Sequence, residues 1–159
     1  MPDLTPLDEK LGEVLGLAQA AQVATDTIGG MEGADAFRDD LTRMHEQAQE
    51  TERRTDELVD ALDGRKTAIR EKAREVKSEA SEMMKTYLAG EDEALDGFEF
   101  LSMAEAGELC HWEIVGVIAE NTGDAPAKRL ADWAVPVQRG HIETVRRAAL
   151  ELAVEEASA

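Results

Sequence analysis

The sequence has one cysteine, no long apolar run, and about half as many basic as acidic side chains. The single cysteine, Cys110, excludes an internal disulfide and a zinc site of the Cys-x-x-Cys type. No stretch approaches the roughly 20 apolar residues that a bilayer-spanning helix needs. The first residues also lack the basic and apolar regions of a signal peptide. These absences predict a cytoplasmic protein that makes no contact with a membrane.

The chain is strongly acidic, with 35 acidic against 17 basic side chains and a net charge of −18. Nucleic acids and anionic membranes would repel such a surface, so neither is expected as a partner. The acids are spread along the chain, which is typical of an ordinary acidic helical protein; a halophilic source is the alternative. At 159 residues, 43% of them hydrophobic, the chain predicts a single domain over residues 1–159 with one sizeable core.

Apolar residues recur at spacings of three and four throughout, and no segment alternates as a strand does. Thr5-Pro6 is a helix start, and Gly29-Gly30 is a helix stop. Glycine and Asn-Thr-Gly-Asp breaks separate the remaining segments. The sequence therefore predicts an all-α fold with five helices. Their predicted bounds are about 6–28, 35–62, 65–89, 95–121 and 125–156.

The third predicted helix differs from the others, because its apolar stripe is thin and rich in alanine. Residues 65–89 carry seven basic side chains and four acids. We expect this helix to lie across the outside of a bundle or in a subunit contact, with its charges held in pairs such as Glu71 with Arg74. In the alternative interpretation its basic face binds an acidic partner or another copy of the chain.

The order of the helices indicates a topology. Two long helices are followed by a link that carries its own helix and then by two more long helices. This order fits a four-helix bundle with one long crossover connection, the ferritin-like arrangement.

The stretch from Ser102 to Trp133 resembles the third helix and following turn of the YciE/YciF family of ferritin-like stress proteins. The run His111-Trp112-Glu113-Ile114 and the Thr-Gly-Asp turn before an alanine-rich helix carry this resemblance. The second helix agrees, since QAQETERRTDELVDAL is similar to the family's His-x-x-Glu-Thr stretch. The resemblance implies a ferritin-like fold, a stress-related or interaction role, and a homo-oligomer, most simply a dimer.

Ferritin-like proteins hold two metal ions with glutamates and histidines from all four bundle helices. The resemblance places Gln22, Gln47, Cys110 and Gln138 where the family has ligands. Glutamine offers only a neutral oxygen and cannot balance two divalent ions. The remaining candidate ligands are Glu50, Glu113 and His141, which together could hold a single iron or manganese ion.

The sequence thus favours a non-enzymatic ferritin-like protein with a lost or incomplete di-metal site and no cofactor. Its glutamines Gln22, Gln47 and Gln138 would then form a neutral hydrogen-bonded network in the core. The alternative is a residual iron or manganese centre that reacts with oxygen or peroxide. Hydrolase chemistry has no support, since no nucleophile is accompanied by a base and an orienting group.

The most apolar face of the fourth helix predicts where its remaining polar residues lie. That face comprises Phe100, Met103, Gly107, Cys110, Ile114 and Val117, so Cys110 is expected to be a buried, inert thiol. Glu105 and Glu108 lie off this face and are expected to be solvated. His141 is the histidine expected to point inward. His45 and His111 are expected at the surface or between helices, and Trp112 and Trp133 in packing or subunit contacts.

Overall fold

The all-α prediction is confirmed by a computed structural model that describes residues 3–159. Its helices are α1 (Pro6–Gly29), α2 (Arg38–Asp60), α3 (Lys66–Tyr87), α4 (Ala94–Thr122) and α5 (Ala125–Ala157), with a short 3₁₀ helix at Ala34–Phe37 before α2. The described residues contain no β-strand, and each helix starts and ends within three residues of its predicted bounds. Nowhere in residues 3–159 is a helix long and apolar enough to cross a membrane.

The start of α1 follows directly from its sequence. The Thr5 hydroxyl accepts a hydrogen bond from the Asp8 backbone N–H, and the Asp8 carboxylate accepts one from the Thr5 N–H, both at 3.1 Å. This reciprocal capping satisfies two backbone donors that a helix start otherwise leaves unpaired. Buried Asp8 also lies 2.9 Å from the Arg65 guanidinium, so the start of α1 is tied to the loop before α3.

Four helices, α1, α2, α5 and α4, form a ring in which each neighbouring pair runs antiparallel. The most extensive packing within this ring is between α4 and α5. Two contacts fix the direction of each pair. They are Gln22 with Glu52 and Thr25 with His45 between α1 and α2, and Ile28 with Gly97 and Glu13 with His111 between α1 and α4. They are Gln47 with His141 and Asp40 with Arg147 between α2 and α5, and Glu105 with His141 and Gly116 with Ala131 between α4 and α5.

The helix α3 lies outside this ring, parallel to α1 and in close contact with it. Two glycines of α1 allow the close approach. A Cβ atom at Gly16 would collide with the carbonyl oxygen of Ala73, and one at Gly12 would lie 2.8 Å from the Cβ of Lys72. Because real Cβ atoms do not approach so closely, no other residue fits at either position without moving α3.

Several basic side chains of α3 are paired within the chain. Arg70 donates hydrogen bonds to the carboxylates of Asp56 at 2.9 Å and Asp60 at 3.2 Å, both on α2. These bonds raise the pKa of Arg70, and the same arginine lowers the pKa of Asp60. The predicted pair of Glu71 with Arg74 is present at 3.9 Å. The ion pairs of Arg70 therefore attach α3 to α2.

The core is layered along the bundle axis. Two clusters of buried apolar side chains lie toward the two ends, and polar residues lie between them. One cluster includes Ile28, Phe37, Leu41, Met44, Phe98, Leu101, Val145 and Leu152. The other includes Leu7, Leu11, Val14, Val59, Ile69, Trp112, Val115 and Leu130. The buried polar residues between them on α2, α4 and α5 are Thr51, Thr55, Glu105, Glu108, Gln138 and His141.

Candidate functional site

The inner face of α4 brings two carboxylates into the bundle. This face comprises Phe98, Leu101, Glu105, Glu108, Trp112, Val115 and Ala119, all buried and alternately three and four residues apart. The predicted inner face was wrong: Cys110 is exposed, and Met103 is 54% exposed. Apolar residues occur on all sides of α4, so spacing alone does not select one face. The face that is buried contains the fully enclosed rings of Phe98 and Trp112.

Glu105 and Glu108 are only 1% and 3% exposed, so the prediction that they are solvated was also wrong. They lie three residues apart on one helix, with their side chains in the polar layer between the two apolar clusters. Burying two acids at adjacent positions costs free energy unless each is hydrogen-bonded or neutralised. Their partners therefore determine the chemistry of this layer.

His141 points inward from α5, as predicted, and joins three helices. Its Nε2 lies 2.7 Å from Gln47 Oε1 on α2, and its Nδ1 lies 3.3 Å from Glu105 Oε2 on α4. The amide oxygen of Gln47 only accepts, so Nε2 carries a hydrogen and donates it. The contact between Nδ1 and Glu105 then needs one proton, held by either group.

Glu108 has no comparable partner. Its Oε1 makes no hydrogen bond within the described residues. Burial, and secondarily the negative charge of Glu105, raises the pKa of Glu108 well above its usual 4.5. This acid is therefore favoured in its neutral form, which avoids two adjacent buried negative charges.

A small cavity adjoins the two acids. It encloses about 40 Å³, comparable to one or two water molecules. Its wall is formed by α1, α3 and α4 and is otherwise largely apolar, with Leu17, Ala20, Ala21, Ala24, Ala80, Met84 and Phe100 among its lining residues. Such a wall offers no basic group to neutralise Glu108.

The structure does not bring the predicted metal ligands together. The carboxylate of Glu50 accepts hydrogen bonds from Arg53 and Arg54, which lower its pKa to about 2. Glu113 is exposed and lies 3.7 Å from Arg139. Only His141 of the three enters the core. Glu50 and Glu113 are not on the buried faces of their helices. On α2 the nearby buried residues are Ala48 and Thr51, and on α4 they are Trp112 and Val115.

The predicted network of three glutamines is not formed. Gln47 reaches the core through His141, but Gln22 lies at the edge of the bundle and donates to Glu52 at 2.9 Å. Gln138 is buried three residues before His141, and its Oε1 has no hydrogen-bond partner among the described residues. Exposed Cys110 faces away from this layer. The polar layer thus contains Glu105 and Glu108 from α4, Gln138 and His141 from α5, and Gln47, Thr51 and Thr55 from α2.

These residues do not fit a two-metal centre. The ferritin-like pattern needs a glutamate from each of two helices and a Glu-x-x-His pair from each of the other two. Here α5 has Gln138 and His141, both carboxylates come from α4, and α2 contributes the amide of Gln47. In the described part of the chain, no three His, Cys, Asp or Glu side chains are grouped so that they could hold a metal ion.

The remaining histidines and tryptophans have packing roles, as expected. His45 lies between α1 and α2, with Nδ1 3.0 Å from the Thr25 hydroxyl. His111 Nε2 lies 3.2 Å from a carboxylate oxygen of Glu13. Trp112 is fully buried, and the ring of Trp133 lies 4.2 Å beneath the Arg54 guanidinium.

Comparison with known proteins does not add an assignment. No protein-family model, no curated protein and no solved structure matches this chain significantly.

Proposed function

We propose that the chain has the ferritin-like topology. The antiparallel pair α1 and α2 is followed by a link that carries α3 back along the bundle, and α4 and α5 complete the ring. Because α3 lies outside the ring, α2 and α4 are the second and third helices of the ring and are parallel, whereas the second and third helices of an up-down-up-down four-helix bundle are antiparallel. The polar layer at mid-height of the bundle lies where carboxylate-bridged metals are held in that class.

We further propose that the protein is non-enzymatic, a scaffold or interaction protein in which a hydrogen-bonded cluster replaces the di-metal centre. One observation carries this proposal: His141 is engaged by Gln47 and Glu105, and α5 presents Gln138 where a metal-binding helix would present a carboxylate. Only the resemblance to the YciE/YciF family suggests a stress-related role, and only the sequence composition suggests a cytoplasmic location.

Metal analysis tests this proposal. Untagged protein, purified without chelator, is exposed to anaerobic Fe(II) or Mn(II), desalted, and analysed by mass spectrometry of its metals. We expect far less than one metal per chain. Retention of one or two metals per chain, and their loss in His141→Ala with the helix content unchanged, would overturn it.

A second candidate is a single-metal site in the polar layer that reacts with oxygen or peroxide. The buried Oε1 atoms of Glu108 and Gln138 favour it, since both lack a hydrogen-bond partner among the described residues. Hard oxygen atoms beside an imidazole suit iron or manganese. This candidate would require Glu108 to lose its proton and its side chain to move toward His141.

The two sets of candidate ligands can be separated by variants. If Mn(II) binds in the polar layer, Glu108→Gln abolishes binding, and Glu113→Gln leaves it unchanged. The opposite result would place the metal at the surface of α4 near Glu113, outside the polar layer. Isothermal titration with Mn(II) on the three proteins distinguishes these outcomes, and no heat from any of them supports the non-enzymatic scaffold.

A further inference from the structure

We propose that the outer face of α4 is the interface of a symmetric dimer, in which α4 packs antiparallel against α4 of a second copy with the two-fold axis at Cys110. We define the outer face of α4 as Met103, Ala106, Gly107, Cys110, Ile114 and Val117. This inference does not depend on whether the polar layer binds a metal.

The outer face is apolar and largely uncovered within the chain. Val117 is 60% exposed, Met103 and Cys110 are also exposed, and Ile114 is partly so. Residues 103, 110 and 117 are seven apart and lie along one line of the helix. A contiguous line of apolar side chains on one helix usually packs against another element.

The spacing about Cys110 makes the face complementary to itself. Met103 and Val117 lie seven residues to either side, so an antiparallel copy places Met103 of each chain against Val117 of the other. Four residues to either side are Ala106 and Ile114, a small and a large side chain that would meet across the axis. In a symmetric interface the same patch is used by both subunits, which requires this kind of self-complementarity.

Gly107 has no packing role within the chain. A Cβ atom built at this position meets nothing within 4 Å, unlike those at Gly12 and Gly16. Glycine within a helix is destabilising relative to alanine, and Gly107 lies in the middle of the 29-residue α4. The absence of a Cβ atom lets a second helix approach α4 closely at this point; Gly140 on α5 is equally open, so the glycine permits the contact and does not select it.

Charge opposes a second copy least on this face. The chain carries a net charge of −18, so two copies repel each other over most of their surface. Between Ser102 and Ala119 the acids are Glu105 and Glu108, which are buried, and Glu113, which lies 3.7 Å from Arg139. Between Met103 and Val117 the outer face is therefore nearly neutral, while exposed Glu99 and Glu120 lie one turn beyond its two ends and Glu113 would lie opposite Gly107 of the second copy.

The contact area that one pair of helices provides is small for a dimer. Two helices in contact over about 30 Å bury on the order of 1,000 Å² in total, near the lower limit for a specific interface. Tyr87 of α3, whose ring centroid lies 5.7 Å from that of Phe100, and Met83 one turn earlier are exposed and extend the apolar surface. The neighbouring Met84 is buried against the bundle.

Sedimentation velocity tests the interface with a matched pair of variants. Val117→Glu places a charge in the proposed contact, whereas Val154→Glu makes the same change on α5 at a valine of similar exposure, 66%. With loading varied over about a hundredfold to roughly 200 µM, we expect a dimer for the native chain and Val154→Glu and a monomer for Val117→Glu. A monomeric native chain, or a dimer unaffected by Val117→Glu, would overturn the proposal.

The thiol at the axis gives a second, direct readout. A short bismaleimide should link Cys110 of one copy to Cys110 of the other and give one band at about twice 17.3 kDa in a denaturing gel. Val117→Glu should lose this band and still react fully with a monofunctional maleimide. A native dimer whose thiols react with maleimide but never cross-link would place the interface elsewhere and refute the assignment of the axis.

Discussion

Glu108 should make the stability of this protein fall as the pH rises from acid toward neutral. Its pKa in the folded protein is raised well above the usual 4.5, mainly by burial. Below about pH 4.5 the group is protonated in both the folded and the unfolded chain and has no effect. Above that pH the unfolded chain loses the proton while the folded chain keeps it, so the free energy of unfolding decreases until the folded-state pKa is passed.

Replacing Glu108 with glutamine removes this titration and keeps the shape of the side chain. We expect Glu108→Gln to gain stability relative to the native chain as the pH rises above about 4.5, by about 1.4 kcal/mol for each pH unit over which the folded chain keeps a proton that the unfolded chain has lost. For a chain of this size each kcal/mol corresponds to about 2–4 °C in Tm. At pH 4 Glu108 is protonated in both the folded and the unfolded chain. Its ionisation should then contribute nothing to the difference in unfolding free energy between Glu108→Gln and the native chain.

Urea unfolding followed by circular dichroism at several pH values measures this difference. Glu99→Gln is the matched control, because Glu99 is an exposed glutamate on the same helix and its removal changes the net charge equally. For each variant, the difference in unfolding free energy from the native chain is plotted against pH. Parallel curves for Glu108→Gln and Glu99→Gln would refute the conclusion that burial raises the pKa of Glu108.

Two further predictions concern helix packing and capping. Gly16→Ala should destabilise the protein by about 1–3 kcal/mol through overpacking against α3, whereas Gly140→Ala, with open space around the added methyl group, should stabilise it by up to about 1 kcal/mol. Thermal unfolding of both variants gives the comparison, and equal Tm values would contradict the close approach of α1 and α3. Thr5→Ala should lower the unfolding free energy by about 1 kcal/mol through loss of the α1 cap; chemical denaturation checks this, and an unchanged midpoint would contradict it.

The secondary structure could be predicted from the sequence because each helix end carries its own local signal. Thr5-Pro6 starts α1, and Gly123 lies in the left-handed region with φ of 73° between α4 and α5. Apolar residues at helical spacing mark the buried faces of α1, α2 and α5, and His141 was expected to point into the core.

The face of α4 could not be predicted in this way, and the candidate site was misplaced with it. Two apolar stripes compete on this helix, and the one with the more continuous apolar pattern, through Met103 and Val117, is the exposed one. The buried stripe is interrupted by Glu105 and Glu108, whose burial depends on His141 from another helix and on the neutral state of Glu108. Continuing the spacing from Phe98 through Trp112 was the signal that pointed to the correct face.

The layered core has a consequence for the uniqueness of the fold. Helices that meet only through apolar stripes can slide along one another by a turn at little cost, since one aliphatic contact replaces another. Here a slip of α5 by one turn would move His141 toward an apolar cluster and leave Gln47 and Glu105 without their shared hydrogen-bond partner. The polar layer therefore fixes the axial register of three helices. It contributes specificity where two uninterrupted apolar clusters would have contributed more stability.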